Sequence, residues 1–166
     1  MDAAEQRLLH ELSEHVDIDV YSKLAMISAL RGDSETATNR MNEAIEIASN
    51  SEDLMSLISV ATTAGKIEQT LSNKEAALEA YEQAMEFVND GIQSYHLMKA
   101  AVLSDLYLGL LELKGYDESL VVKLLQLIQK GADTPEAWQS FPRAVPFVEE
   151  FIAVSYTHLR AHETAS

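Results

Sequence analysis

Five histidines and a set of regularly spaced carboxylates are the side chains of this 166-residue chain best suited to chemistry. His158 and His162 lie four residues apart. On a helix that spacing puts two imidazoles on one face, as in a zinc site. His10 and His15 are five apart in an acidic stretch, so their faces diverge and solvent is their expected partner. His96 follows Tyr95 at the start of an apolar segment, where a packing or surface histidine is expected rather than a general base. Glu43, Glu46, Glu79, Glu82 and Glu86 recur at three- and four-residue spacings. A di-metal carboxylate bundle uses such spacings but also needs Glu-x-x-His pairs, and the chain has none. Solvated helix faces are the expected reading. There is no Cys, hence no thiol nucleophile, Cys-based zinc site or disulfide. Phosphate loops, dinucleotide glycine motifs, serine elbows and zincin motifs are also absent. The expectation is a protein with no catalytic, cofactor-binding or metal-binding residues.

The elements around these residues read as helices. All three prolines, Pro135, Pro142 and Pro146, lie late, and no stretch alternates strictly with period two. A first helix is expected near residues 3–15, with Leu8, Leu9 and Leu12 on one face, and a second over about 18–31. Gly32-Asp33 ends the second, and Asp33 or Ser34 caps a third that runs to about Ala48. Ser49-Asn50-Ser51 reads as the capping cluster before a fourth helix over about 52–71, and Ser72-Asn73 as the turn into a fifth over 74–88. Asn89-Asp90-Gly91 is a stop. The sixth helix, near 93–114, is apolar on most sides and should be deeply buried. Gly115-Tyr116-Asp117 leads to a seventh over 118–130, and Gly131 ends it. Thr134-Pro135-Glu136 starts another, Trp138 anchors packing near it, Pro142 and Pro146 interrupt, and a last helix begins over 145–153.

Two segments align at a shift of 40 residues: Ala25 with Gly65, Ala37 with Ala77, Met41 with Tyr81, and Ala44 with Ala84. The first copy reads Tyr21, Leu24, Ala25, Gly32, Ala37, Met41, Ala44. Small residues on one helical stripe let an antiparallel partner approach, and Met41 fills the gap between them. This pattern resembles the tetratricopeptide family: a bulky residue, a Leu and a small residue on the first helix, a turn glycine, then small, large and Ala at fixed intervals. The second copy keeps Gly65, Ala77, Tyr81 and Ala84, but Ser72 replaces the turn glycine and Ala61 the aromatic residue. A third keeps Gly115 and Leu124, with Leu120 and Leu127 where small residues belong. Spacings of 40 and then about 43 exceed the family's repeat of about 34. The resemblance implies an all-α fold of antiparallel helical hairpins stacked as a short solenoid, with about eight or nine helices. It also implies a concave binding face on the first helix of each repeat, here Ser22, Lys23, Met26 and Ala29. The family's Lys/Asn carboxylate clamp is not recognisable.

Residues 154–164, Val-Ser-Tyr-Thr-His-Leu-Arg-Ala-His-Glu-Thr, resemble one reading frame of a transposase-type sequencing-library adapter. That resemblance removes His158 and His162 as a metal pair and implies a natural chain continuing beyond Ala153. The expected organisation is an N-terminal helix (1–17), a helical array (18–131), truncated C-terminal helices (132–153) and a non-native tail (154–166). No secretory signal or membrane span is evident, and the lack of Cys leans toward the cytoplasm. The net charge of −15 repels phosphate backbones, so no nucleic-acid ligand is expected. Such charge can attract a basic partner segment, or simply keep an apolar helical protein dissolved. The expected function is a non-enzymatic scaffold that binds a protein or peptide. The alternative is a helical regulatory or sensor domain of a larger signalling or transcriptional regulator.

Overall fold

Aspartate or asparagine stands just ahead of most helices of this chain, and the reason is local. The first N–H groups of a helix have no partner within it, and a short side-chain oxygen can supply one. In the computed structural model, which describes residues 2–14, 18–51, 53–89, 100–130 and 141–165, the described residues form eight α-helices and no strand. The helices are α1 (Ala3–Glu14), α2 (Ile18–Leu30), α3 (Ser34–Ser51), α4 (Leu54–Thr70), α5 (Lys74–Asn89), α6 (Ala100–Lys114), α7 (Glu118–Lys130) and α8 (Phe141–Ala165). Asp2 accepts from the Glu5 amide (2.8 Å), Asp33 from Thr36 (3.1 Å), Asp53 from Met55 (3.3 Å) and Asp117 from Leu120 (3.1 Å). The Asp33 carboxyl is held below the usual range by its bonds to the Thr36 side chain and amide, as a cap should be.

The expected cap cluster at Ser49–Ser51 is instead the last turn of α3, where the Ser51 hydroxyl donates to the Ala48 carbonyl (2.8 Å). Asp53 does the capping, because its two oxygens reach both the Met55 amide and the Ser56 hydroxyl (2.8 Å). The start expected at Thr134-Pro135, together with Gly91, Trp138 and residues 93–99, lies outside the described residues.

Two compact units divide the chain, residues 1–92 and 93–166. In the first, α2 packs on α3, α4 on α5, α3 and α2 on α4, and α1 on α2. The stripe Ala37, Met41, Ala44, Ala48 of α3 is buried, and 40 residues on so is Ala77, Tyr81, Ala84, Val88 of α5. Spacings of four, three and four keep each stripe on one helix face. Ala25, Ala29, Val60 and Ile67 complete the core around the α3 stripe, with Tyr21, Met26 and Leu57 packed against it.

The two hairpin turns are also built alike. The Gly32 amide donates to the Ala29 carbonyl (2.9 Å) and the Asp33 amide to Ser28 (2.9 Å). Forty residues later the Ser72 amide donates to Gln69 (3.1 Å) and the Asn73 amide to Glu68 (2.8 Å). These are the paired bonds of a Schellman stop, which needs a left-handed residue after the helix. Gly32 takes φ +78° without strain, whereas Ser72 takes φ +65° with a Cβ.

Between α4 and α5 the constraint is contact. A Cβ at buried Gly65 would sit 2.6 Å from Cδ1 and Cε1 of Tyr81, so the ring lies directly on the α4 backbone. The Tyr81 hydroxyl then donates to Gln69 Oε1 (2.9 Å), one turn further along α4.

In the second unit α6 is buried from Leu106 through Leu111 without interruption. By contrast α7 buries one stripe, Leu120, Val121, Leu124, Leu127 and Ile128. Gly115 turns the chain between them at φ +92°. α8 packs on α6 and α7, its Ala144 is fully buried, and Arg143 bonds Glu112 and Asp105 (3.4 Å) of α6. The expected interruption at Pro142 and Pro146 does not occur. Pro142 sits in the first turn, where its missing N–H costs nothing. Pro146 lies inside the helix, where it lacks the N–H that would bond the Pro142 carbonyl and its ring crowds that carbonyl, yet the helix runs on through it. Beyond Ala153 the helix continues to Ala165 with Tyr156 and Leu159 exposed.

Two substitutions test these readings by urea unfolding. Gly65→Ala should destabilise by about 1–3 kcal/mol, because overpacking against Tyr81 outweighs the roughly 1 kcal/mol that alanine gains as a helix former. Ser72→Gly should stabilise by about 0.5–1 kcal/mol, the left-handed strain relieved less the added unfolded-chain entropy. A stabilised Gly65→Ala or a destabilised Ser72→Gly contradicts the corresponding reading.

Candidate protein-binding surface

Charge is the first thing the fold organises. Glu5 of α1 is buried, its side chain only 7% exposed, and it accepts from Arg31 at the end of α2 and from Arg40 of α3 (3.3 Å). Arg40 also donates to the Leu24 carbonyl (3.1 Å) and to Ser28 Oγ (2.9 Å), while Ser28 donates to the same carbonyl (3.1 Å). Asp2 takes the other arm of Arg31 at 2.6 Å. The Glu5 carboxyl is held below its ordinary value of 4.5 by the Arg31 hydrogen bond first, against burial, with the charges of Arg31 and Arg40 adding to it. Asp2 is likewise lowered, chiefly by the Glu5 amide.

This network ties three helices together and keeps its carboxylates ionised, so it neither takes nor gives a proton near neutrality. No short-range spacing in the sequence marks it. Arg31 and Arg40 are the only cations between Leu24 and Gly65, which is a signal, but their partner lies 26 and 35 residues away.

The four residues expected on a concave face are placed unevenly. Lys23 is exposed, Ser22 and Met26 are half-buried, and Ala29 is in the core at 3% exposure. Met26 packs on that core. Among the repeat-packing positions, Leu24, Ala25, Ala37, Met41, Ala44, Gly65, Ala77, Tyr81, Ala84, Leu120 and Leu124 are buried. Tyr21 is half-buried against the core, and Gly32 and Gly115 are exposed at turns.

A different surface offers open apolar space. Ile45 and Ser49 of α3, Leu57, Val60, Ala61 and Ala64 of α4, and Ala80, Gln83 and Phe87 of α5 line a groove of ≈ 130 Å³. Ile45 is 42% exposed at its edge. Cofactor and drug-like sites run from about 300 to 1,000 Å³, whereas a cavity of about 150 Å³ holds a benzene ring. The groove therefore suits one large apolar side chain. It exists because three small residues, Ala61, Ala64 and Ala80, stand together there. The sequence shows these alanines, but not that they meet.

The titratable candidates are not gathered. Glu43, Glu46, Glu79, Glu82 and Glu86 are exposed along α3 and α5. His10 is exposed, as are His158 and His162 on α8, while His15 and His96 lie outside the described residues. Among the described residues no three His, Asp or Glu side chains come together as a metal site, and no helix is long and apolar enough to cross a membrane. In comparisons with known proteins, no family model, curated protein or solved structure matches the chain.

The Glu5 network carries a pH dependence. A carboxyl lowered on folding contributes stability above its unfolded value and loses it as pH falls through the folded value. The stability gap between the wild-type protein and Glu5→Gln should be widest near neutral pH and narrow below 4.5, as wild-type Glu5 itself becomes protonated. Thermal melts across an acid series measure this, and a gap that does not change with pH contradicts the lock.

Proposed function

We propose that this chain is a non-enzymatic helical scaffold, of the tetratricopeptide-like kind, that binds a protein or peptide in the cytoplasm. The observation that carries the reading is the α3–α4–α5 groove. It is an apolar recess for a single side chain, formed where two similarly built hairpins meet, beside a core that is already closed. Its size favours a peptide anchor over a cofactor. The ionic network supports the same reading, since its guanidinium groups are committed to holding α1, α2 and α3 in place and not to a substrate. A surface that presents one pocket on rigid helices can recognise an amphipathic segment through its anchor residues.

The test is a selection of helical peptides against the intact chain, followed by hydrogen exchange with the selected peptide at saturation. Amides of α4 near 57–64 and of α5 near 80–87 should gain protection. Enriched peptides that protect neither segment, or no enrichment at all, would argue against a scaffold function.

A further inference from the structure

We infer that the partner is a basic amphipathic helix that seats one large apolar side chain in the α3–α4–α5 groove and lays its cations against the carboxylates beside it. This rests on the scaffold reading and narrows it to one chemistry.

The first observation is the groove itself, apolar along α4 and open beside exposed Ile45. The second, independent one is charge. On α5, Glu79 and Glu86 lie four and three residues from groove-lining Gln83, within one helical turn. Across the groove, Glu46 is next to Ile45 and three residues from Ser49 on α3. All three carboxylates are exposed. The only cations of α3 and α5 are Arg40 and Lys74. Arg40 is committed to Glu5, Ser28 and the Leu24 carbonyl, and Lys74 sits at the far start of α5.

The acidic side chains of α5, Glu75, Glu79, Glu82 and Glu86, are spaced four, three and four, the repeat at which a partner helix displays its own side chains. An acidic or phosphate-bearing partner would be repelled from this surface. A second copy would bring the same carboxylates, and a net charge of −15, against themselves. A basic helix meets both requirements, since its cations speed the encounter and its apolar residue supplies affinity.

The probe is a synthetic lysine-rich amphipathic helix with a single central leucine, titrated by fluorescence anisotropy against the full chain. It should bind saturably. Replacing its leucine by alanine should weaken binding about 10- to 100-fold. Ala80→Leu, which fills the groove, should weaken it similarly. The exposed pair Glu79→Lys/Glu86→Lys, which leaves the core untouched, should weaken the wild-type interaction and flatten its salt dependence. Equal binding of the alanine peptide, or no effect of Ala80→Leu, would reduce the attraction to bulk charge and overturn the inference. A glutamate-rich or neutral version that binds as well, and is lost in Ala80→Leu, would overturn the basic partner and leave the scaffold standing. Failure of every charge version to protect the groove in hydrogen exchange would sink both. Self-association abolished by Ala80→Leu in sedimentation would make a second copy the occupant and overturn the inference as well.

Discussion

The ring of Tyr81 rests on the backbone of α4 at Gly65, with no space for a methyl group between them. That contact sets how closely α4 and α5 approach, and the rest of the first unit is arranged around the approach. The buried stripes of α3 and α5 follow one spacing, but the large residue differs, Met41 in one and Tyr81 in the other. The aligned position on the preceding helix differs in the opposite sense, Ala25 against Gly65. A wider side chain thus meets a narrower one, and two hairpins of similar construction tolerate different residues. Interiors pack densely enough that a single carbon has to be compensated in this way.

The groove is a by-product of the same economy of size. Small residues that let helices approach on their buried stripes leave a shallow recess where they stand at the edge of the interface. Ala61, Ala64 and Ala80 do this between α3, α4 and α5. Charge then gives the recess a character. The chain has 12 Lys and Arg against 27 Asp and Glu, and two of its arginines are paired with Glu5. Arg40 is the one cation of α3, and its commitment to Glu5, Ser28 and the Leu24 carbonyl turns it away from the exposed Glu43 and Glu46 of that helix.

Much of the fold is legible from residue patterns. The all-α class, the buried α3 stripe, the apolar α6 and the bounds of α7 follow from helical periodicity and from the turn signals Gly115-Tyr116-Asp117 and Gly131 in the sequence. Local stops are less legible. A glycine advertises a left-handed residue, and Gly32 does so. Ser72 adopts the same conformation because the bonds to Gln69 and Glu68 and the packing of α4 on α5 hold it there. Prolines mislead at α8, since Pro142 falls in the first turn and the helix runs on through Pro146. The α2 face illustrates another limit. Ser22, Lys23, Met26 and Ala29 are near one another along the helix, but Ala29 turns into the core while Lys23 faces solvent.

By itself the sequence determined the helical class, the small–large alternation of the buried stripes and the strong acidity, because each is a property of residue type and short-range spacing. Only the tertiary structure decided that Glu5 would be buried between Arg31 and Arg40. Only it decided that Tyr81 would lie on Gly65, and that Ile45, Ala64 and Ala80 would edge one recess. Each of these brings together residues from different helices. Their meeting depends on how closely and at what register whole helices pack, a quantity that no local window of sequence contains.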